Sequence, residues 1–201
     1  MDIAINYMFL GRAIGHYSRL GYHYIEAPWL VSEQASDITR PPEAPQLSLP
    51  LLGGALVASA EQSFLQLDLD NRLPEGRFVA CTPCFRPEPV PDRYRQTTFM
   101  KVELYQNVDV SEESMFMMLA DAQDFMTLMT FEHTPPWKDE DAVPFLVREK
   151  TDQGWDLMLN GVEVGSYGVR EHGELRWVYG TGLAEPRFST VVNELSELSG
   201  S

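Results

Sequence analysis

Cys84-Phe85-Arg86-Pro87-Glu88 (84–88) and Phe99-Met100-Lys101-Val102-Glu103-Leu104-Tyr105 (99–105) flank a charged segment. Strand-forming residues on both sides of this segment predict two strands joined by a hairpin. Side chains alternate across a strand, so Arg86 and Glu88 share one face. The second strand places four side chains on one face: Phe99, Lys101, Glu103 and Tyr105. The result is a surface of guanidinium, carboxylate and aromatic groups, which suits phosphate, amine and base.

The rest of the chain predicts an α+β fold, an antiparallel β-sheet flanked by helices, in one domain spanning residues 1–201. Hydrophobic periodicity predicts helices at 3–20, 61–69, from 111 onward and at 186–198. Alternation predicts strands at 22–26, 55–59, 77–81, 98–110, 145–149, 155–159, 162–169 and 175–179. The proline-rich stretch 37–54 is interpreted as a loop on the substrate side.

Charge composition favours a small anionic ligand over a nucleic-acid surface. Thirty Asp and Glu against fifteen Lys and Arg give a net charge of −15, which repels a phosphate backbone. Yet four basic residues fall within sixteen positions: Arg86, Arg93, Arg95 and Lys101. No Walker or Rossmann glycine pattern is present, so arginines and a metal ion would have to hold a nucleotide triphosphate. The sequence lacks a long apolar run and a secretory signal, from which we expect a cytoplasmic protein.

Two further patterns each allow two interpretations. Cys81 and Cys84 have the spacing of a redox pair or half a zinc site, or they are small apolar side chains at a strand end. The second pattern is a methionine-rich stripe after Ser111, which predicts either a core-facing helix or a partner-binding groove. The stripe comprises Met115, Met118, Leu119, Ala122, Phe125, Met126 and Met129.

The hairpin at 84–105 resembles motif 2 of the class II aminoacyl-tRNA synthetases, in which Phe-Arg-x-Glu, a variable loop and a returning strand line the ATP site. The resemblance implies that Arg86 neutralises the α-phosphate and aligns the attacking carboxylate. Glu88 would receive the adenine amino group and Phe99 would stack on the adenine. Glu103 would face the substrate amine. The outer phosphates would be reached from the loop by Arg95 or Arg93.

The segment 155–170 resembles the aspartyl, asparaginyl and lysyl branch of the same family. There, an acid pair seven residues apart binds magnesium on ATP, and Asp156 and Glu163 have that spacing. Hard oxygen ligands suit a magnesium ion that also bridges phosphates. Arg170 takes the position that in aspartyl-type enzymes binds a substrate side-chain carboxylate. The stretch 180–188 resembles motif 3, and this resemblance implies that Arg187 is a triphosphate ligand and, with Arg86, a catalytic residue.

Two further segments resemble parts of the class II synthetases less closely. The segment 4–28 is similar to motif 1, a helix and strand at a dimer interface, which implies a homodimer. Glu61, in Ser59-Ala60-Glu61-Gln62, resembles the loop that holds the substrate amine in seryl- and threonyl-type enzymes. Because Glu61 and Arg170 match different branches, the substrate amino acid stays undecided.

The resemblance implies an ATP- and Mg²⁺-dependent ligase that forms an acyl-adenylate from an amino acid or a related carboxylate. It covers a catalytic core and no anticodon-binding domain, and the surface is acidic. We therefore expect a stand-alone relative that transfers the acyl group to a small molecule, a protein or a carrier. A minimal tRNA-charging enzyme and a catalytically inactive binding or regulatory protein are the alternatives.

Overall fold

The computed structural model describes residues 4–45, 47–49, 52–135 and 146–200. Its helices are α1 Tyr7–Arg19, α2 Glu33–Thr39, α3 Ala60–Leu69, α4 Glu112–His133 and α5 Arg187–Gly200. The first strands are β1 His23–Tyr24, β2 Leu30–Val31, β3 Ser48–Leu49, β4 Gly54–Leu56, β5 Arg77–Phe85 and β6 Thr98–Gln106. The last strands are β7 Leu146–Thr151, β8 Gly154–Leu159, β9 Val162–His172 and β10 Leu175–Glu185.

The larger sheet has seven strands in the order β1-β5-β6-β10-β9-β8-β7. Its pairs are antiparallel except for β1, which runs parallel to β5 at the edge. Strands β2, β4 and β3 form a small second sheet. A mostly antiparallel sheet flanked by helices confirms the predicted α+β class.

The main core lies between one face of the large sheet and the helices α1, α4 and α5. The methionine stripe of α4 is buried there, which confirms the packing interpretation. Ser111 is the N-cap of this helix. Its hydroxyl accepts the N–H of Ser114, and the Ser114 hydroxyl accepts the N–H of Ser111. On the other face, α3 covers a smaller cluster that includes Phe64, Tyr105 and Trp177. We call this second face of the large sheet the cavity face, and the part of it that α3 does not cover is open.

Several element boundaries differ from the predicted ones. The stretch predicted as a loop at 37–54 contains the end of α2 and all of β3, and Ser32 caps α2 by accepting the N–H of Ala35. The strand expected at 98–110 ends at Gln106. The N-terminal helix begins at Tyr7, and Ile3 and Phe145, predicted in a helix and a strand, lie outside the described residues. The turn at Asn160-Gly161 has φ values of 51° and 73°, as a two-residue type I′ hairpin requires.

Strands β9 and β10 each contain a β-bulge. In β9, Leu157 pairs with Gly165 but Met158 pairs with Glu163, so β9 has one residue more than β8. As a result Val164 and Tyr167, three apart, both pack in the main core. In β10 the register shifts between Thr181 and Leu183. A bulge shifts the two-residue alternation of side chains by one position.

The two cysteines are free thiols on opposite faces of β5. Cys81 packs against the main core, whereas Cys84 is fully buried on the other face. Burial raises the pKa of each thiol to about 11, so both are protonated near neutral pH. This arrangement agrees with the small apolar interpretation. In the part of the chain that the structure describes, no helix has the length and apolar character needed to cross a bilayer.

Candidate active site

A cavity of about 430 Å³ opens on the cavity face, beside the hairpin between β5 and β6. It is lined by nearly all of the side chains that the sequence predicted for a nucleotide and an amino acid: Glu61, Arg86, Glu88, Arg95, Phe99, Glu103, Glu163, Arg170 and Arg187. Asp156 does not line it, and neither does Arg93, the alternative to Arg95. Residues from five regions of the chain are therefore brought together, from the start of α3 to the start of α5.

One end of the cavity holds three guanidinium groups. Arg86 follows β5, donates from Nε to the carbonyl of Ala58 at 3.0 Å, and lies 5.2 Å from the ring centre of Phe99. Burial lowers the pKa of Arg187, and the positive charges of Arg86 and Arg95 lower it further, against the opposing effect of Glu163. Three cations held this close form a site that an anion would stabilise.

The loop between β5 and β6 is docked onto α5. The Tyr94 hydroxyl donates to Glu194 Oε2 at 2.7 Å, and Arg93 pairs with Glu194 Oε1 at 2.7 Å. Arg187 Nε donates to the Tyr94 carbonyl at 3.1 Å. Arg95 lines the cavity, but Arg93 is held against Glu194 outside it. Of the two arginines predicted to reach the phosphates, the geometry favours Arg95.

The opposite end of the cavity contains two buried carboxylates, each paired with a cation. Glu61 accepts from Arg170 Nη1 at 2.6 Å and from the Trp177 indole N–H at 2.7 Å. Burial raises the pKa of Glu61, and Arg170 and the indole act in the opposite direction. Because arginine stays protonated, the contact is an ion pair. Arg170 also lies 4.0 Å over the Tyr179 ring.

Glu103 forms the second pair. Lys101 Nζ lies 2.9 Å from each Glu103 oxygen, and the Ser59 hydroxyl donates to Oε2 at 2.6 Å. Ser59 is also the residue that caps α3, so the start of this helix is fixed to the cavity wall. Glu103 is 1% exposed, and Tyr105 on the same strand is covered completely, with its ring stacked on Phe64. The face predicted for β6 is thus correct, but Tyr105 belongs to the core.

Asp156 and Glu163 lie on the adjacent strands β8 and β9. Glu163 pairs with Arg187 at 3.4 Å, and Asp156 lies opposite Ser166 on the adjacent strand. Burial raises the pKa of Asp156, and the negative charge of Glu163 adds to the effect. A cation between the two would relieve this repulsion, and two carboxylates with phosphate oxygens suit Mg²⁺. In the described ranges no three acidic, His or Cys side chains form a metal cluster.

The glycines before Arg187 are required by packing. A Cβ on Gly180 would lie 2.6 Å from the Tyr167 ring, and one on Gly182 would lie 2.8 Å from the Tyr17 ring. The Tyr17 hydroxyl donates to the Gly182 carbonyl at 2.8 Å. Gly182 is the extra residue of the β10 bulge. These contacts come from the protein interior, so the glycines shape the strand that leads to Arg187.

Several cavity residues had no distinct signal in the sequence. Gln153 lies in the turn before β8, and Ser166 and Thr181 are single hydroxyl residues within strands. Lys101 was recognised in the alternating pattern, but its pairing with Glu103 was not. Glu185 is fully buried at the end of β10 and accepts hydrogen bonds from the Asn6 N–H and from Ser189.

Comparison with solved structures identifies the fold. The chain matches pyrrolysyl-tRNA synthetase from Desulfitobacterium hafniense with a TM-score of 0.67 and 15% identity, over 94% of this chain and 70% of that one. It matches seryl-tRNA synthetase from Pyrococcus horikoshii complexed with ATP with a TM-score of 0.63 and 17% identity, over 92% of this chain. The cytoplasmic serine-tRNA ligase from Naegleria fowleri in complex with AMP gives a TM-score of 0.62 and 15% identity, again over 92% of this chain.

The fold is therefore that of the catalytic core of class II aminoacyl-tRNA synthetases. This chain spans 49% and 47% of the two seryl proteins, about half their length. No protein-family model matches the sequence, and no curated protein matches it.

Proposed function

We propose that this chain uses ATP and Mg²⁺ to activate the carboxylate of an amino acid as an acyl-adenylate. The observation that carries the proposal is the division of one cavity into two ends. One end holds the guanidinium groups of Arg86, Arg95 and Arg187, and the other holds the paired carboxylates Glu61 and Glu103. A triphosphate and a zwitterion are the ligands that these two ends suit. Neighbours of the same fold are ATP and AMP complexes.

In the proposed reaction a carboxylate oxygen of the amino acid attacks the α-phosphorus of ATP in line with the leaving group. The bond from that phosphorus to its bridging oxygen breaks, and pyrophosphate leaves with the electron pair. An ionised carboxylate needs no proton removed, so the protein contributes orientation and charge stabilisation. Arg86 and Arg187 oppose the charge that develops on the α-phosphate, and Arg95 holds the outer phosphates.

Further side chains in and beside the cavity bind and orient the nucleotide. Glu88 receives the adenine amino group, and Phe99 stacks on the base through the ring face that Arg86 leaves uncovered. Asp156 and Glu163 would hold Mg²⁺, and the ion would neutralise part of the charge of the phosphates. Glu163 would turn from Arg187 to hold this ion, and Arg187 would then be available to the nucleotide.

For the acyl acceptor we propose a small molecule, a protein or a carrier. The net charge of −15 supports this choice, because an acidic surface opposes the binding of tRNA. Charging of a tRNA is the second candidate, since the structural neighbours are tRNA synthetases. We also propose a homodimer, which exposed apolar residues of α1 and α4 support: Tyr7, Met8, Leu128 and Phe131.

ATP–pyrophosphate exchange tests the activation step directly. Exchange that depends on an amino acid is expected in the wild type and is lost in Arg86→Ala, while circular dichroism and thermal unfolding stay unchanged. Arg72→Ala removes an exposed arginine outside the cavity and should keep full exchange. Exchange at the wild-type rate in Arg86→Ala would refute the role of this residue. ATP binding without exchange for any amino acid would favour an inactive binding protein.

A further inference from the structure

We propose that the amino acid activated in this cavity carries an uncharged polar side chain. This inference rests on the proposed function, and it concerns the end of the cavity opposite the three arginines. The motif at 155–170 implied that Arg170 binds a substrate carboxylate. In the structure Arg170 already has a carboxylate partner from its own chain.

Each carboxylate oxygen of Glu61 already accepts a hydrogen bond from its own chain. Oε2 accepts from Arg170 and Oε1 accepts from the Trp177 indole. The Glu61 residue is 4% exposed, so this carboxylate cannot turn to water in place of Arg170. A buried carboxylate that loses its cation carries a large free-energy penalty. The pair is therefore a fixed part of the cavity wall.

The charges at this end of the cavity sum to zero. Glu61 and Glu103 contribute two negative charges, and Arg170 and Lys101 contribute two positive ones, each within 3 Å of its partner. An acidic substrate side chain gains a cation only by separating Arg170 from Glu61. In the proposed reaction Glu103 already faces the substrate amine, so a basic side chain adds a second positive charge that no free carboxylate at this end can pair. A charged side chain of either sign thus leaves one buried charge unpaired.

Uncharged polar groups complete the surface. Gln153, Ser166 and Thr181 line the cavity and provide amide and hydroxyl groups, and Gln153 Oε1 accepts from Arg170 Nη2 at 3.4 Å. Thr181 Oγ1 accepts the Ser166 N–H at 3.3 Å, which leaves its own proton for a ligand. An apolar side chain would cover these groups without replacing their hydrogen bonds to water. A hydroxyl or carboxamide side chain satisfies them and disturbs neither ion pair.

The test is pyrophosphate exchange with wild-type protein and a panel of single amino acids. Serine, threonine, asparagine and glutamine represent the proposed class, and aspartate, glutamate, lysine, arginine, leucine and phenylalanine represent the others. We expect one of the first four to give the highest exchange rate per unit concentration, by about a hundredfold over any charged amino acid, since breaking a buried pair has an effect of that order. A charged or apolar amino acid as best substrate overturns this inference and leaves the activation reaction intact. Exchange with none of the twenty removes the activation reaction as well.

A substitution at the pair supplies a second, independent readout. Glu61→Gln removes the negative charge but keeps an acceptor for Arg170 and the indole, so Arg170 becomes available to a substrate carboxylate. We expect the ratio of exchange with aspartate to exchange with the best uncharged amino acid to rise about tenfold or more. Glu174→Gln, the same change in the exposed turn between β9 and β10, should leave the ratio unchanged. An unchanged ratio in folded Glu61→Gln overturns the proposal, and if this variant fails to fold the wild-type panel decides.

Discussion

Glu185 is expected to make the stability of this protein depend on pH in a way that one substitution removes. Its carboxylate is fully buried, and its donors are neutral: the Asn6 N–H and the N–H and hydroxyl of Ser189. Burial raises the pKa of Glu185 from 4.5 to about 7, and these hydrogen bonds oppose the rise only in part.

Because the pKa of Glu185 is raised in the folded state, stability falls as the pH rises. Below pH 4.5 the group is protonated in both the folded and the unfolded chain, so it adds no penalty. As the pH rises toward 7, the unfolded chain ionises while the folded chain stays neutral, and the folded state loses relative stability. Above that range the accumulated loss is about 3 kcal/mol, from about 1.4 kcal/mol for each pH unit between the two pKa values.

Glu185→Gln keeps an acceptor for the same donors but cannot ionise. The free energy of unfolding of the variant minus that of the wild type should therefore rise by about 2 to 3 kcal/mol between about pH 5 and about pH 8. Urea denaturation followed by circular dichroism at several pH values measures this difference. Other titrating groups are common to both proteins and cancel. Glu174→Gln, in an exposed turn, should give a difference that does not change with pH. A flat or falling difference for Glu185→Gln would refute the reasoning.

Two further outcomes are expected. Glu194→Ala frees the loop that carries Arg95 and should raise KM for ATP about fivefold with kcat little changed, since an ion pair and a hydrogen bond of this exposure contribute about 1 kcal/mol. Glu197→Ala, exposed on the same helix, is the control, and an unchanged KM in the first variant would contradict a positioning role for the loop contact. Gly180→Ala should lower the free energy of unfolding by about 1 to 3 kcal/mol because the new methyl meets a buried tyrosine ring. Gly11→Ala should not lower the free energy of unfolding, because its new methyl meets nothing within 4 Å. If the two variants unfold at the same temperature, strand β10 relaxes around the new methyl and the packing argument is wrong.

Local patterns in the sequence were enough to predict most elements of this fold. Hydrophobic periodicity and the capping residue identified the helix that starts after Ser111, because both signals depend on neighbouring residues. The hairpin at 84–105 was predicted for the same reason. Helix α2 was not predicted, because Pro41, Pro42 and Pro45 follow its last residue and the whole stretch 37–54 was interpreted as a loop.

The candidate site could be predicted as a set of residues but not as a set of contacts. Glu61 and Arg170 were each assigned to a ligand, and their mutual ion pair spans 109 positions that no periodic pattern connects. The burial of Glu185 was invisible for a similar reason, since it depends on the N-terminal segment folding back onto the start of α5. Whether Arg93 or Arg95 enters the cavity depended on Glu194, which carries no motif.

The extra residue in β9 limits which changes of chain length this region can accept. Glu163 and Arg170 are seven positions apart, and an odd separation along an uninterrupted strand would put them on opposite sides of the sheet. Removing Val164 would restore the uninterrupted period, and then either Glu163 or Arg170 would have to project among the methionines of α4. A substitution in β9 changes one side chain, whereas the deletion of one residue moves the side chains of half the strand to the opposite face of the sheet. Natural variation here should therefore change residue identity far more readily than residue number.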